Sequence, residues 1–246
     1  MADSAEPTRR IHWPQVWAEV GLLLLGVALA FVGDAVWDQR QDRVAETEYL
    51  AALRADFEAN ARGLDELDEF YRGVLAADST LVAYARYGEW EGSPDSLLSL
   101  TARALTMQSF RPALGTYNDL IGSGKLQLLR DAELRASLAS FAEEVDVLDR
   151  LVEFLGARWT ALEEPFMIEN LPVAELYDGY PGDFQSFDYE PLPVLNTVRP
   201  GDPIPLVPRS DELAGLIVLR MVLVRDVLAG IGWVRSHSDA VNRRLQ

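Results

Sequence analysis

Four groups of residues in this chain are of types that could do chemistry. Glu66, Asp68 and Glu69 gather three carboxylates into one short stretch, a set that could hold a metal or share a proton. They fall on the polar positions of a helical pattern, so a solvated face is the better reading. Gly124-Lys125 invites comparison with a phosphate-binding loop. That loop needs a glycine five positions earlier and Ser or Thr after the lysine; Asp119 and Leu126 stand there instead. Asp178, Asp183, Asp188 and Glu190 could ligate calcium, but their spacing matches no EF-hand loop. His237, in Ser236-His237-Ser238-Asp239, has no constellation around it that would make it a base, and the other histidine is His12. Cysteine is absent, which excludes disulfides, thiolate zinc sites, iron–sulfur clusters and cysteine nucleophiles. No catalytic set, metal set or cofactor motif is legible, and the expectation is a protein that is not an enzyme.

Composition bounds what could position any such group. The chain has 246 residues, 49% of them apolar, with a formal charge of −17. That is room for one domain of about 200 residues beside a short anchor. The acidic balance argues against nucleic acid, whose phosphates require clustered Lys and Arg. All but one of the 22 basic residues are Arg, the exception being Lys125. This is a compositional mark of a GC-rich bacterial genome.

The most distinctive stretch is Val16 to Trp37, whose only charges are Glu19 and Asp34. As a helix it is about 33 Å long against a hydrocarbon core of about 30 Å, and the sequence predicts a transmembrane helix over 16–37. Trp13, Trp17 and Trp37 flank it as membrane-interface residues. Gly26, Ala30 and Gly33 form a small-residue stripe for helix pairing. The span has a weakness: the uncharged run from Val20 to Gly33 is shorter than the bilayer core. Arg9-Arg10 and Ala28-Leu29-Ala30 also resemble parts of a cleaved signal, but the apolar character continues past that site, so an uncleaved anchor is favoured. The flanking arginines are nearly balanced between Arg9 and Arg10 on one side and Arg40 and Arg43 on the other. The expected arrangement is a bacterial inner membrane with the N-terminus cytoplasmic and the domain periplasmic.

The remainder reads as helices. Leu50, Leu53, Phe57, Ala61, Leu64, Leu67, Tyr71 and Val74 recur at steps of 3 and 4, one buried face of a long helix. No Gly or Pro interrupts residues 34–62, so the anchor is expected to continue into it. Ser93 and Pro94 cap and start a second helix reaching about Met107. Gly122-Ser123-Gly124 stops a helix with glycine in the left-handed region. Asp131 caps a helix from Ala132 to about Glu164, with Leu134, Leu138, Phe141, Val145, Leu148, Leu151 and Leu155 inward. The last helix runs from Asp211 to about Asn242. It is apolar, but Arg220 and Arg225 in its middle make it a core helix of the bundle and not a second span.

Trp17-Ala18-Glu19-Val20, Trp37-Asp38-Gln39-Arg40, Glu48-Tyr49-Leu50-Ala51-Ala52-Leu53 and Tyr117-Asn118-Asp119-Leu120-Ile121-Gly122-Ser123-Gly124-Lys125-Leu126 together carry a resemblance. They resemble a family of uncharacterised bacterial single-span membrane proteins, known only as a domain of unknown function. The resemblance covers residues 15–160 and implies a membrane location but no activity, cofactor or site. That family's span lacks an acid at the position of Asp34.

Residues 170–210 hold eight of the 13 prolines, with Tyr180, Phe184, Phe187 and Tyr189 among acids. Such a segment does not form regular structure, and its aromatics are expected to dock on a partner. The organisation expected is therefore a tail at 1–15, a transmembrane helix at 16–37, a helical bundle at 38–169, a Pro-rich arm at 170–210 and a C-terminal bundle helix at 211–246. The fold class is all-α, an antiparallel helical bundle. The expected role is that of a non-enzymatic accessory subunit packing on a larger membrane complex, for example a respiratory or photosynthetic one. Its partners would be the lipid bilayer and other membrane protein subunits. The alternative is a membrane-anchored sensor whose bundle binds a ligand.

Overall fold

A computed structural model describes residues 13–171 and 207–246, and every regular element among them is helical. The chain divides into two units, residues 1–51 and 52–246. Helix α1, Trp13–Tyr87, contributes to both. The other elements belong to the second unit. They are α2 (Pro94–Ala104), α3 (Gly115–Gly122), a 3₁₀ turn (Leu126–Leu128), α4 (Ala132–Arg158), a π turn (Trp159–Glu163), α5 (Glu164–Asn170) and α6 (Asp211–Leu245).

In the first unit the transmembrane expectation is overturned. Among the described residues no helix is long and apolar enough to cross a membrane. The cause is visible in the charges. Between Glu19 and Asp34 an α-helix advances only about 22 Å, short of the roughly 30 Å hydrocarbon core. The single-pass membrane assignment and the inner-membrane location with a cytoplasmic N-terminus fall with it. The boundary role of Trp13, Trp17 and Trp37 rested on the same span. Trp17 and Trp37 are exposed, as are Leu22, Leu23, Leu24, Leu25, Leu29, Phe31, Val32 and Val36.

In the second unit local chemistry sets the ends of the elements. α1 stops at Gly88, whose φ of 73° suits glycine, and whose N–H still donates to the Tyr84 carbonyl at 2.8 Å. Ser93 caps α2, accepting from the Ser96 N–H, and Pro94 takes the first turn, where its missing N–H costs nothing. Gly124, at φ 70°, ends the turn after α3. Asp131 caps α4 by accepting from the N–H groups of Glu133 and Leu134, and Ser210 caps α6 by accepting from Leu213. The helix expected to run to Glu164 is α-helical only to Arg158. Pro165 cannot donate to the carbonyl four residues back and its ring presses on it. The preceding turn widens into the π turn before α5 resumes.

On α1 and α4 the core follows the expected stripes, and α6 adds a third. Leu53, Phe57, Leu64, Leu67, Tyr71, Val74 and Leu81 of α1 are buried, with Leu134, Leu138, Phe141, Val145, Leu148 and Leu155 of α4 and Ile217, Val224, Ile231 and Val234 of α6. Leu50 and Ala61 are half-buried, and Val152 is buried where Leu151 was expected. Phe57 and Phe141 stack at 4.8 Å, tilted by 57°. A Cβ on Gly230 would lie 3.0 Å from Leu151 Cδ1, so α4 and α6 approach closely there. Arg244, near the end of α6, pairs with Asp131 and Glu133 at the start of α4. Arg235 donates to the Leu64 carbonyl and the Asp65 carboxylate of α1. α6 therefore runs antiparallel to α1 and α4, as a bundle requires.

The place of a fourth long helix is taken by an irregular strap, residues 105–114. It runs back along α1, and side chains satisfy several of its backbone polar groups. Tyr71 Oη donates to the Gln108 carbonyl at 2.7 Å. Asn60 Nδ2 donates to the Ala113 carbonyl at 3.1 Å, and the Ala113 N–H donates to Asn60 Oδ1 at 2.6 Å. Just beyond the strap, the Thr116 N–H reaches Asp56 Oδ2 at 3.1 Å. The expectation of helix to Met107 fails because α2 ends at Ala104, where the strap begins to pair in this way.

Candidate functional site

The chemically distinctive place in the second unit is a group of charges inside the bundle. Asp78 of α1, Arg220 of α6 and Glu163 of the π turn are all buried, at 0%, 0% and 2% exposure. Asp78 lies on the buried stripe of α1, one residue after buried Ala77 and three before buried Leu81. The spacing that makes the stripe apolar thus carries a carboxyl inward.

Arg220 is the hub. Its Nε donates to the Ala104 carbonyl at 2.8 Å and its Nη2 to the Thr106 carbonyl at 2.5 Å. The guanidinium carbon sits 5.8 Å from the centre of the Trp159 ring, within cation–π range. Nη1 has no hydrogen-bond partner. Arg158 Nε donates to Glu163 Oε1 at 3.2 Å, leaving Arg158 Nη2 and Glu163 Oε2 without partners. Both carboxylate oxygens of Asp78 are also without hydrogen bonds. Buried polar groups are normally paired, so this concentration of unpaired ones in a natural core marks a place under constraint. A π turn at the same place is itself a feature enriched at functional sites.

The electrostatics follow from burial. Desolvation pushes the Asp78 carboxyl up to about 7; Arg220 opposes the rise and Glu163 adds to it. Desolvation lowers the Arg220 pKa, and Asp78, Glu163 and Tyr71 resist. Tyr71, beside the same cluster, is raised by burial, with its bond to Gln108 and the charge of Arg220 acting against that. The set can hold a proton or exchange one near neutral pH. It holds no nucleophile poised against a base. A cleft of about 310 Å³ lies on the outer side of α1 and α6 and is lined by Ser79, Val82, Val218, Met221, Val222 and Arg225; none of the buried charges lines it.

The residues singled out from sequence are distributed otherwise. Tyr180, Phe184, Phe187 and Tyr189 lie outside the described residues, as does nearly all of the Pro-rich arm; its ends, Leu171 and Val207, are buried. Gly26 is exposed with nothing within 4 Å of an added Cβ, and the surroundings of Trp13, Ala30 and Gly33 lie outside the described residues. Glu66 and Glu69 are exposed, while Asp68 takes a 2.6 Å bond from Arg72 Nε that, above all, holds its carboxyl below the usual range. No group of three or more His, Cys, Asp or Glu able to hold a metal occurs among the described residues. His237 is half-buried and its Nδ1 lies 2.9 Å from the Trp233 carbonyl. Lys125 follows the glycine stop of α3 and belongs to a turn. Sequence reasoning noticed Arg220 as a charge that rules out a span, but missed Asp78. The available signal was the position of Asp78 on an apolar stripe. No protein-family model matches the chain, and no curated protein or solved structure shows significant similarity to it.

Proposed function

We propose that the protein is a non-enzymatic accessory subunit that joins a larger protein assembly through the apolar stretch of α1. The observation that carries this reading is the exposure of Leu22, Leu23, Leu24, Leu25, Leu29, Phe31, Val32, Val36 and Trp37 along one helical segment. Soluble surfaces rarely leave contiguous apolar area of more than a few hundred Å² uncovered unless it is a contact surface. The charges at Glu19 and Asp34 limit the uncharged part of this stretch to about 22 Å, which suits a groove between helices of a partner protein.

Photo-crosslinking from position 24 in the native host, followed by mass spectrometry of the adduct, tests the proposal. A reproducible protein adduct that disappears in a Leu22→Ser, Leu25→Ser, Leu29→Ser triple variant supports it. Adducts only to lipid, or none, reject it. A second reading, a sensor whose bundle responds to a small ligand, draws on the buried Asp78, Arg220 and Glu163 group.

A further inference from the structure

We infer that Asp78 is a proton-binding site coupled through Arg220 to the strap: with the carboxyl neutral, Arg220 holds the carbonyls of Ala104 and Thr106, and on ionisation the guanidinium is drawn toward Asp78 and the strap loosens. The inference stands apart from the attachment reading, since it concerns only residues 52–246.

The geometry supplies each part. Asp78 is fully buried and neither oxygen has a donor, so a charge there is solvated by nothing. Arg220 already has two acceptors, both backbone carbonyls where α2 gives way to the strap, and keeps Nη1 in reserve. A carboxylate is a stronger acceptor for a guanidinium than a peptide carbonyl. Ionising Asp78 therefore sets up a direct competition for one cation. The other charged and titratable groups facing this place are Tyr71 from α1 and Arg158 and Glu163 from the π turn, the last two already bonded to each other. Thr101 and Thr106, the buried hydroxyls at the end of α2 and the start of the strap, are committed to the carbonyls of Leu97 and Arg103. None of these is hydrogen-bonded to Asp78.

The sign of the pH effect follows. The Asp78 carboxyl moves from an ordinary 3.8 to about 7 on folding. Between those values the folded chain holds a proton that the unfolded chain has lost. Stability is thus highest at the acid end of the window, falls as pH rises through it, and levels off above about 7.

Urea unfolding of the full chain across pH 5 to 8.5, for the wild type and for Asp78→Asn, reads this directly. Asn copies the neutral carboxyl in shape and cannot ionise. Relative to the variant, the wild-type unfolding constant should rise by about tenfold per pH unit up to neutrality, the slope of one proton. Parallel pH curves for the two chains overturn the proposal. The ¹³C shift of the Asp78 carboxyl in the labelled wild type does not depend on any variant folding. A midpoint near neutrality supports the site, and one in the ordinary carboxylate range overturns it. Amide exchange at Leu105 to Gln108, corrected for intrinsic base catalysis, tests the coupling. Extra acceleration above neutral pH in the wild type and not in Asp78→Asn supports it, and equal protection in both removes the strap from the account.

Discussion

One helix, α1, follows two different rules along its length. From Leu53 to Leu81 the buried positions recur every three or four residues and the positions between are mostly exposed or half-buried. From Leu22 to Trp37 the apolar residues run on consecutive positions, and every one whose surroundings are described is exposed. A periodic stripe can be covered by two or three neighbouring helices, as α4 and α6 do here. A continuous run cannot be covered by one face of a bundle, so it must find another partner or stay exposed. Apolar content alone does not tell these cases apart; its period does.

Substitutions that remove the same apolar bulk from the two regions should break the comparison most sharply. Phe57→Ala opens a cavity against Phe141 and should cost about 3–5 kcal/mol of stability, read from urea unfolding followed by helical circular dichroism. A loss under about 1 kcal/mol would mean that the α1 stripe is not packed as described.

The strap should respond next. Asn60→Ala removes both side-chain bonds to Ala113 and leaves that N–H and carbonyl unpaired, so the expected cost is about 1–3 kcal/mol. Amide exchange should quicken at Ala113 before it does anywhere in α4. If α4 exchange rises equally, the strap is not a separate element but part of one cooperative core.

The cap of α6 sharpens the contrast between local and long-range effects. Ser210→Ala deletes the acceptor for the Leu213 N–H and should cost about 1 kcal/mol. Glycine at the same position should restore most of it. Failure of glycine to do so would assign Ser210 a packing role instead.

The smallest change in stability is expected from Leu24→Ser in the exposed run, within about 0.5 kcal/mol. The same change should give the largest loss of co-purifying protein if that run is an attachment surface. Stability that falls by as much as in Phe57→Ala would show that the segment is part of this chain's own core.

The sequence by itself determined the elements whose causes are local. The caps at Ser93 and Asp131, the stop at Gly124 and the stripes of α1 and α4 depend on residues within one or two turns of each other, and they stand where spacing and residue type put them. The helical bundle is legible for the same reason. What only tertiary structure decided involves partners far apart in the chain. Asn60 meets Ala113 across 53 positions and Arg220 meets Ala104 across 116, so no local window could show that these polar side chains are buried. The strap is non-helical where side chains from α1 and α6 take up several of its backbone groups, which removes the need for a helix that residue preference alone allows to continue. Asp78 reads as an ordinary surface acid in isolation. Its burial one step from Ala77 on the α1 stripe raises its affinity for a proton, and Arg220, brought in from the other end of the chain, opposes that rise. The N-terminal span failed for the opposite reason. Its two charges were legible from the start, and the uncharged length between Glu19 and Asp34 governs whether a helix can cross a bilayer, more than the average apolarity of residues 16–37.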